Sequence, residues 1–200
     1  MEEAQPIEPP EAATPDAETV AFGAVGTPVG RLLVSVTEAG LAAVDFRDSP
    51  TARGRAAAAI GLPVADDQAR SGRVRAELAA YFAGELTAFT IPIDWRLASP
   101  LPRRVLGTLH ATVPYGRVLT YGELGARSGT GVPARAIGQI MGSNPIPIVV
   151  PCHRIVAGNG LGGYSGGFGV EIKRWLLTLE GALPATFDWD PERGPRPLPG

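Results

Sequence analysis

NPIPIVVPCHRIVAGNGLGGY, residues 144–164, is the stretch around which the chain is read. Two proline-punctuated steps, Asn144-Pro145 and Ile146-Pro147, lead into the apolar run Ile148-Val149-Val150. Pro151 then stands directly before Cys152, the only cysteine of the protein. Proline fixes its own φ and favours extended geometry in the residue before it, so Val150 is expected to be extended and Cys152 to be pinned in one direction. Behind His153 and Arg154 comes a glycine-dense loop, Gly158-Asn159-Gly160-Leu161-Gly162-Gly163. Such a loop builds no core, but it lets backbone amides approach a ligand closely. One thiol with a neighbouring imidazole in this frame is a candidate nucleophile; a lone cysteine is otherwise a small buried hydrophobe. On an extended strand Cys152 and His153 point to opposite faces, so the imidazole reaches the thiol only if the chain turns there or a water lies between them.

Composition narrows the classes. Two hundred residues with 44% hydrophobic content suit one large or two small globular domains. No apolar run reaches the ~18–20 residues of a membrane span. The N-terminus has no basic, apolar leader, which gives the expectation of a cytoplasmic protein with no membrane partner. One cysteine excludes an internal disulfide, and with only two histidines a structural metal is not expected. The net charge of −2 hides an asymmetry: residues 1–20 hold six acids and no base. Between Leu101 and Leu183, eight bases face three acids, a net of +5 in the part that contains Cys152. A basic lobe of this kind fits nucleic acid as well as a solvated surface.

Residues 1–18, rich in Glu, Pro and Ala, read as a disordered acidic tail. Strands are expected at Thr19–Phe22, Gly30–Val36 and Leu41–Phe46, forming a β-meander. Residues 47–68 remain unplaced. Val74, Leu78, Tyr81, Phe82 and Leu86 have helical spacing over Gly72–Leu86, and Ala88–Ile93 reads as an edge strand. This is a small α+β scaffold domain, 19–97, without a cluster of chemical residues. A second, mostly helical domain follows over 98–183, and 184–200 is a proline-rich tail. In the second domain Pro102–Thr112 reads as a helix, and Thr120 with Glu123 forms a capping box at the start of the next. Ser128-Gly129-Thr130-Gly131 breaks that helix and another runs from about Ala134 to Met141. The pair is either a helix-turn-helix or a plain helical hairpin. Ala134, Ala136 and Gly138 offer a small-residue face with Arg135 as its single long charge, suited to pressing on a nucleic-acid backbone and wedging the duplex. A last helix, Gly169–Leu183, brings Glu180 near its C-terminal end, where the helix dipole opposes a carboxylate. Some partner should therefore hold it, and His153 is the candidate.

The set Arg135-Ala136-Ile137-Gly138, Asn144-Pro145, Pro151-Cys152-His153-Arg154, Tyr164-Ser165-Gly166-Gly167, Trp175-Leu176-Leu177 and Glu180-Gly181 resembles the O6-alkylguanine-DNA alkyltransferases. The resemblance is dense from Val113 to about Ala182, and the first domain resembles that family's ribonuclease-H-like lobe in outline. It implies a two-lobed α+β protein whose C-terminal domain carries a winged-helix-like helix-turn-helix. Leu101-Pro102 and Leu106 depart from the aromatic-Gln pair and aromatic residue usual there, and the zinc ligands of some members are absent.

The resemblance also implies roles. Cys152 is the alkyl acceptor, His153 deprotonates it through a water, Glu180 orients His153, and Tyr121 hydrogen-bonds the guanine ring. Arg135 fills the gap left by the flipped nucleotide, with Ala134, Ala136 and Gly138 against the DNA. Met141, Ile155, Tyr164 and Ser165 form the base pocket, and Asn144 ties the recognition helix to the active-site strand. The implied partner is double-stranded DNA carrying O6-alkylguanine, bound by a monomer that needs no cofactor and reacts once. An alternative keeps the fold but only binds the lesion; in such proteins the cysteine is replaced, and here Cys152 is present.

Overall fold

The computed structural model describes residues 18–167 and 169–184, and the backbone of two further strands at 187–190 and 194–197. Most of the acidic tail expected over 1–18 thus lies outside the described residues.

Three strands, β1 (Val20–Thr27), β2 (Gly30–Thr37) and β3 (Gly40–Asp45), form the expected antiparallel meander. A short β4 (Val64–Ala65) adds in parallel to β1, giving the order β3-β2-β1-β4. Both faces of the sheet are covered, as alternation along β2 shows. Leu32, Val34 and Val36 join the main core, whereas Leu33 packs with Val20, Phe22, Ala52 and Ile60 on the opposite face. Ala52 and Ile60 belong to α1 (Pro50–Ile60), which occupies the segment left unplaced above. Ser49 Oγ accepts from the Ala52 N–H, Pro50 takes the first turn, and Gly61 ends the helix at φ 72°. These are ordinary helix start and stop signals. On the other face lies α2 (Gly72–Phe82), which buries Val74, Leu78, Tyr81 and Phe82. It ends four residues short of Leu86 because the chain turns at Gly84, φ 76°.

The edge strand expected over 88–93 is reduced to one parallel bridge between Leu41 and Ile93. Pro92 has no N–H to give, and its carbonyl accepts from the Leu41 N–H at 2.9 Å. That approach explains Gly40, φ 135°, where a Cβ would lie 2.4 Å from the Pro92 oxygen.

The second lobe opens with α3 (Pro100–Thr112), which starts two residues before Pro102 and buries Val105, Leu106 and Leu109. A two-residue β5 (Leu119–Thr120) leads into α4 (Tyr121–Ser128). The capping box is present: Thr120 Oγ1 accepts from the Glu123 N–H at 3.2 Å, and Glu123 Oε2 accepts from the Thr120 N–H at 2.6 Å. Next come α5 (Ala134–Gly142), β6 (Ile155–Val156) parallel to β5, and α6 (Val170–Leu179). This last helix is shorter than expected and leaves Glu180 as its C-cap. Strands β7 (Phe187–Asp190) and β8 (Gly194–Pro197) pair as an antiparallel hairpin in the stretch read as a tail. Its prolines at 195 and 197 alternate, so each can occupy a position that owes no ladder hydrogen bond.

The main core runs without a break from the sheet and α2 into α3–α6. Tyr81–Tyr115 and Phe82–Trp175 ring contacts, with centroids 6.1 and 6.0 Å apart, join the lobes. The Val44 N–H of β3 also donates to the Pro145 carbonyl at 2.9 Å, tying the sheet to the turn that carries Cys152. No helix among the described residues is long and apolar enough to cross a membrane.

Candidate active site

Ile148 and Val149 form a turn, which Val150 closes through a bridge to Pro147. Asn144 organises it: its Oδ1 accepts from the Ile146 N–H at 3.0 Å, and its Nδ2 donates to the Val150 carbonyl at 2.8 Å. The Val150 N–H closes back on the Ile146 carbonyl at 2.9 Å. Ile148 sits at φ 75°, a region that disfavours a β-branched residue by on the order of 1–3 kcal/mol. Full burial of Ile146, Ile148 and Val150 offsets that cost, at roughly 1.5–3 kcal/mol per side chain. Pro151, at φ −83° and ψ 63°, has the geometry of an inverse γ-turn, with the Cys152 N–H donating to the Val150 carbonyl at 2.8 Å. A 3₁₀ turn over Cys152–Arg154 follows. The chain therefore bends at the cysteine, and Cys152 and His153 do not take the opposite faces of a strand.

Cys152 is 5% exposed, and Asn144 Nδ2 lies 3.2 Å from its Sγ. Burial pushes the thiol pKa up, and Asn144, the charge of Lys173 and the Tyr164 hydroxyl act against that rise. The resting side chain is thus a thiol set among groups that favour the thiolate. Lys173, fully buried on α6, donates from Nζ to the Ile155 and Gly163 carbonyls and lies over the Tyr121 ring at 5.6 Å. Burial without a carboxylate partner lowers its pKa to about 8.

His153 is 0% exposed, with Nε2 2.8 Å from Glu180 Oε1. A carboxylate only accepts, so Nε2 carries the proton and Nδ1 of the neutral ring is the free base. Nδ1 is buried and has no hydrogen-bond partner among the described residues. Burial lowers the pKa of the imidazole; Glu180 opposes this, and Arg154 and Lys173 reinforce it. Arg154 is the partner that the sequence reading missed. Its Nε donates to Glu180 Oε2 and its Nη2 to Oε1, both at 2.9 Å. The Tyr81 hydroxyl, from α2 of the first lobe, donates to the same Oε1 at 2.7 Å. Burial alone would raise the Glu180 pKa, but its bonds to His153 and Arg154 prevail and hold it at about 2. With His153 neutral, Arg154 is the charge that balances it. The rule that buried charges are paired could have flagged Arg154, whereas Tyr81 carries no local signal.

A cavity of about 530 Å³ opens on the thiol. Tyr121, Met141, Tyr164 and Ser165 line it together with Ala134, Arg135 and Gly138 of α5. Ser165 Oγ donates to the Gly142 carbonyl at 3.0 Å, and the Tyr121 hydroxyl faces the Gly163 carbonyl at 3.4 Å. Ala136 of α5, half-buried, is not among the residues that line the cavity. One expected pocket residue lies elsewhere. Ile155 is fully buried in the core, and its backbone pairs with Leu119. Asn144 lines a smaller hollow of about 300 Å³ on another side of Cys152, with Asp45, Phe46 and Arg55 of the first lobe.

Residues 20–95 match the family model of the 6-O-methylguanine DNA methyltransferase ribonuclease-like domain, and residues 100–182 that of its DNA binding domain. The chain belongs to the 6-O-methylguanine DNA methyltransferase family. It is 50% identical to a methylated-DNA–protein-cysteine methyltransferase of Mycolicibacterium paratuberculosis, over 52% of this chain and 61% of that one. A relative of the same name from Methanosarcina acetivorans is 34% identical over 78% of this chain and 95% of its own. Among solved structures, Mycobacterium tuberculosis OGT in complex with DNA superposes with a TM-score of 0.68 at 33% identity, covering 83% of this chain and 96% of that one. The O6-methylguanine-DNA methyltransferase of Pyrococcus kodakaraensis gives 0.62 at 26% identity, covering 82% and 99%. Within this chain, Cys152, His153, Arg154 and Glu180 fall in the part that matches the DNA binding domain, while Tyr81 falls in the part that matches the ribonuclease-like domain.

Proposed function

We propose that the protein repairs alkylated DNA by moving a methyl or larger alkyl group from O6 of guanine, and from O4 of thymine, onto Cys152. The observation that carries this reading is one cavity shared by Cys152 and the small-residue face of α5. A base entering along α5 would reach the sulfur only after leaving its stack, at a cost of a few kcal/mol. Arg135, exposed at the rim, would fill the vacated space.

The chemistry is an in-line displacement. The thiol proton passes to His153 Nδ1 through a water, leaving a thiolate held by Asn144 and Lys173. The sulfur forms a bond to the alkyl carbon as the carbon–O6 bond breaks, and the electron pair leaves with guanine. Tyr121, kept protonated by burial and by the charge at Cys152, hydrogen-bonds the ring nitrogen that gains basicity. The product is a neutral thioether, so each molecule acts once and needs no cofactor. The protein would act as a monomer in the cytosol, where thiols stay reduced.

Intact-protein mass spectrometry after incubation with a duplex holding one O6-methylguanine tests the proposal. A single gain of ~14 Da on the Cys152 peptide, stopping at one equivalent, is expected. Tight lesion-selective binding without a mass gain would make the protein a lesion binder instead.

A further inference from the structure

We infer that Tyr81, in the ribonuclease-like lobe, is a positioning residue for the thiol-activating histidine, acting through Glu180. The inference rests on the alkyl-transfer reading above, in which His153 Nδ1 takes the thiol proton. The first lobe, expected to be a scaffold, then sets the proton chemistry of the second.

The geometry is specific. Three donors converge on one oxygen: the Tyr81 hydroxyl at 2.7 Å, His153 Nε2 at 2.8 Å and Arg154 Nη2 at 2.9 Å all reach Glu180 Oε1. The second oxygen takes Arg154 Nε at 2.9 Å and the Gly116 N–H at 3.3 Å. Tyr81 is 0% exposed, and its ring is fixed by Phe82, Phe89 and Tyr115 at 5.3, 5.3 and 6.1 Å. Burial and the Glu180 charge hold its own pKa well above the ordinary value, so it remains a donor at any pH at which the protein works.

A carboxylate oxygen shared among donors gives less to each. Each hydrogen bond that Tyr81 and Arg154 make to Glu180 stabilises the carboxylate without help from an imidazolium, so less is gained when His153 takes a proton. The groups that bear on the ring charge are Glu180, which favours the imidazolium, and Arg154 and Lys173, which oppose it. Cys152 adjoins the ring in the chain, Tyr81 acts at Glu180, and Tyr115 packs on Tyr81 and under the Arg154 guanidinium at 5.9 Å. Removing the Tyr81 hydroxyl strengthens the Glu180–His153 bond and raises the basicity of the ring. More of the histidine is then protonated, and unable to accept the thiol proton, at mildly acid pH.

The test uses the full chain with Tyr81→Phe. The pH dependence of alkyl transfer and the NMR titration of the imidazole are measured side by side; with two histidines in the chain, a His153→Gln control assigns the signal. The inference predicts that the acid limb and the His153 titration move together to higher pH, by about half to one unit. An unmoved titration in a folded Tyr81→Phe protein overturns it and leaves Tyr81 a packing residue. Should Tyr81→Phe not fold, 3-fluorotyrosine at position 81, a stronger donor, is expected to move the limb to lower pH, and no movement overturns the inference. Failure of the alkyl-transfer reading would show separately, as a wild-type protein that gains no mass while its histidine still responds to position 81.

Discussion

Asn144 Nδ2 bridges two acceptors, the Val150 carbonyl at 2.8 Å and Cys152 Sγ at 3.2 Å, so one amide sets both the shape of the turn and the environment of the sulfur. A hydrogen bond to a charged acceptor is worth about 1.5–3 kcal/mol. Asn144→Ala removes one that strengthens as the thiol ionises. Transfer from free O6-benzylguanine at neutral pH should fall by roughly 10-fold or more, and the thiol should titrate at higher pH. An unchanged thiol titration would confine Asn144 to shaping the turn.

Glu180 links stability to acid. Its carboxyl is held at about 2 against an ordinary 4.5, so the folded form binds its proton less readily than the unfolded chain. The stabilisation, roughly 3 kcal/mol, is complete above pH ~4.5 and is lost as pH falls toward 2. Denaturant titrations at pH 7, 4 and 3 should show this decline. Glu180→Gln leaves the Arg154 guanidinium buried without its carboxylate, at a cost of about 3–5 kcal/mol at pH 7, and flattens the decline. A variant as acid-sensitive as wild type would place the effect elsewhere.

Lys173 shifts stability in the same direction at the alkaline end of the pH scale. Held at about 8 rather than 10.5, it binds its proton less readily in the folded state, so stability rises as pH climbs from 8 toward 10. Lys173→Met should abolish that rise. It should also shift the pH midpoint of Cys152 alkylation by iodoacetamide upward, because the thiolate loses a nearby cation. A stationary midpoint would mean that the ammonium does not act on the sulfur.

Arg135 is exposed at the cavity whose buried end holds Cys152. Arg135→Ala is expected to slow repair of duplex DNA by at least ~10-fold while free O6-benzylguanine reacts at close to the wild-type rate. Equal losses on both substrates would remove the wedge role.

What could be read from the chain was local. Thr120 and Glu123 announce their capping box at three-residue spacing, and Pro151-Cys152-His153-Arg154 places the proposed acceptor, its histidine and the guanidinium that pairs with Glu180 within four residues. Helix α1 was also announced, by Ser49-Pro50 before it and Gly61 after it, but five consecutive small or charged residues from Thr51 to Arg55 masked its periodicity. Glu180 could be seen to need a partner, though only one of its three side-chain partners was named. Tyr81 lies ninety-nine residues away and matched the helical core pattern as well as Leu78 does. Nothing in spacing distinguishes a tyrosine whose ring fills a core from one whose hydroxyl also serves a carboxylate. The bend at Cys152 was equally hidden, because it depends on the Asn144 side chain replacing backbone partners.

Lys173 is the only lysine in a chain with seventeen arginines, and it is sealed against solvent with its ammonium on the Ile155 and Gly163 carbonyls. The folded surface therefore presents guanidinium groups but no lysine amine. An acylating reagent can reach Lys173 only when the C-terminal lobe opens, so the speed of that labelling is a clock for opening around the active site. Run before and after Cys152 has been alkylated, the clock would measure how much the thioether loosens the fold.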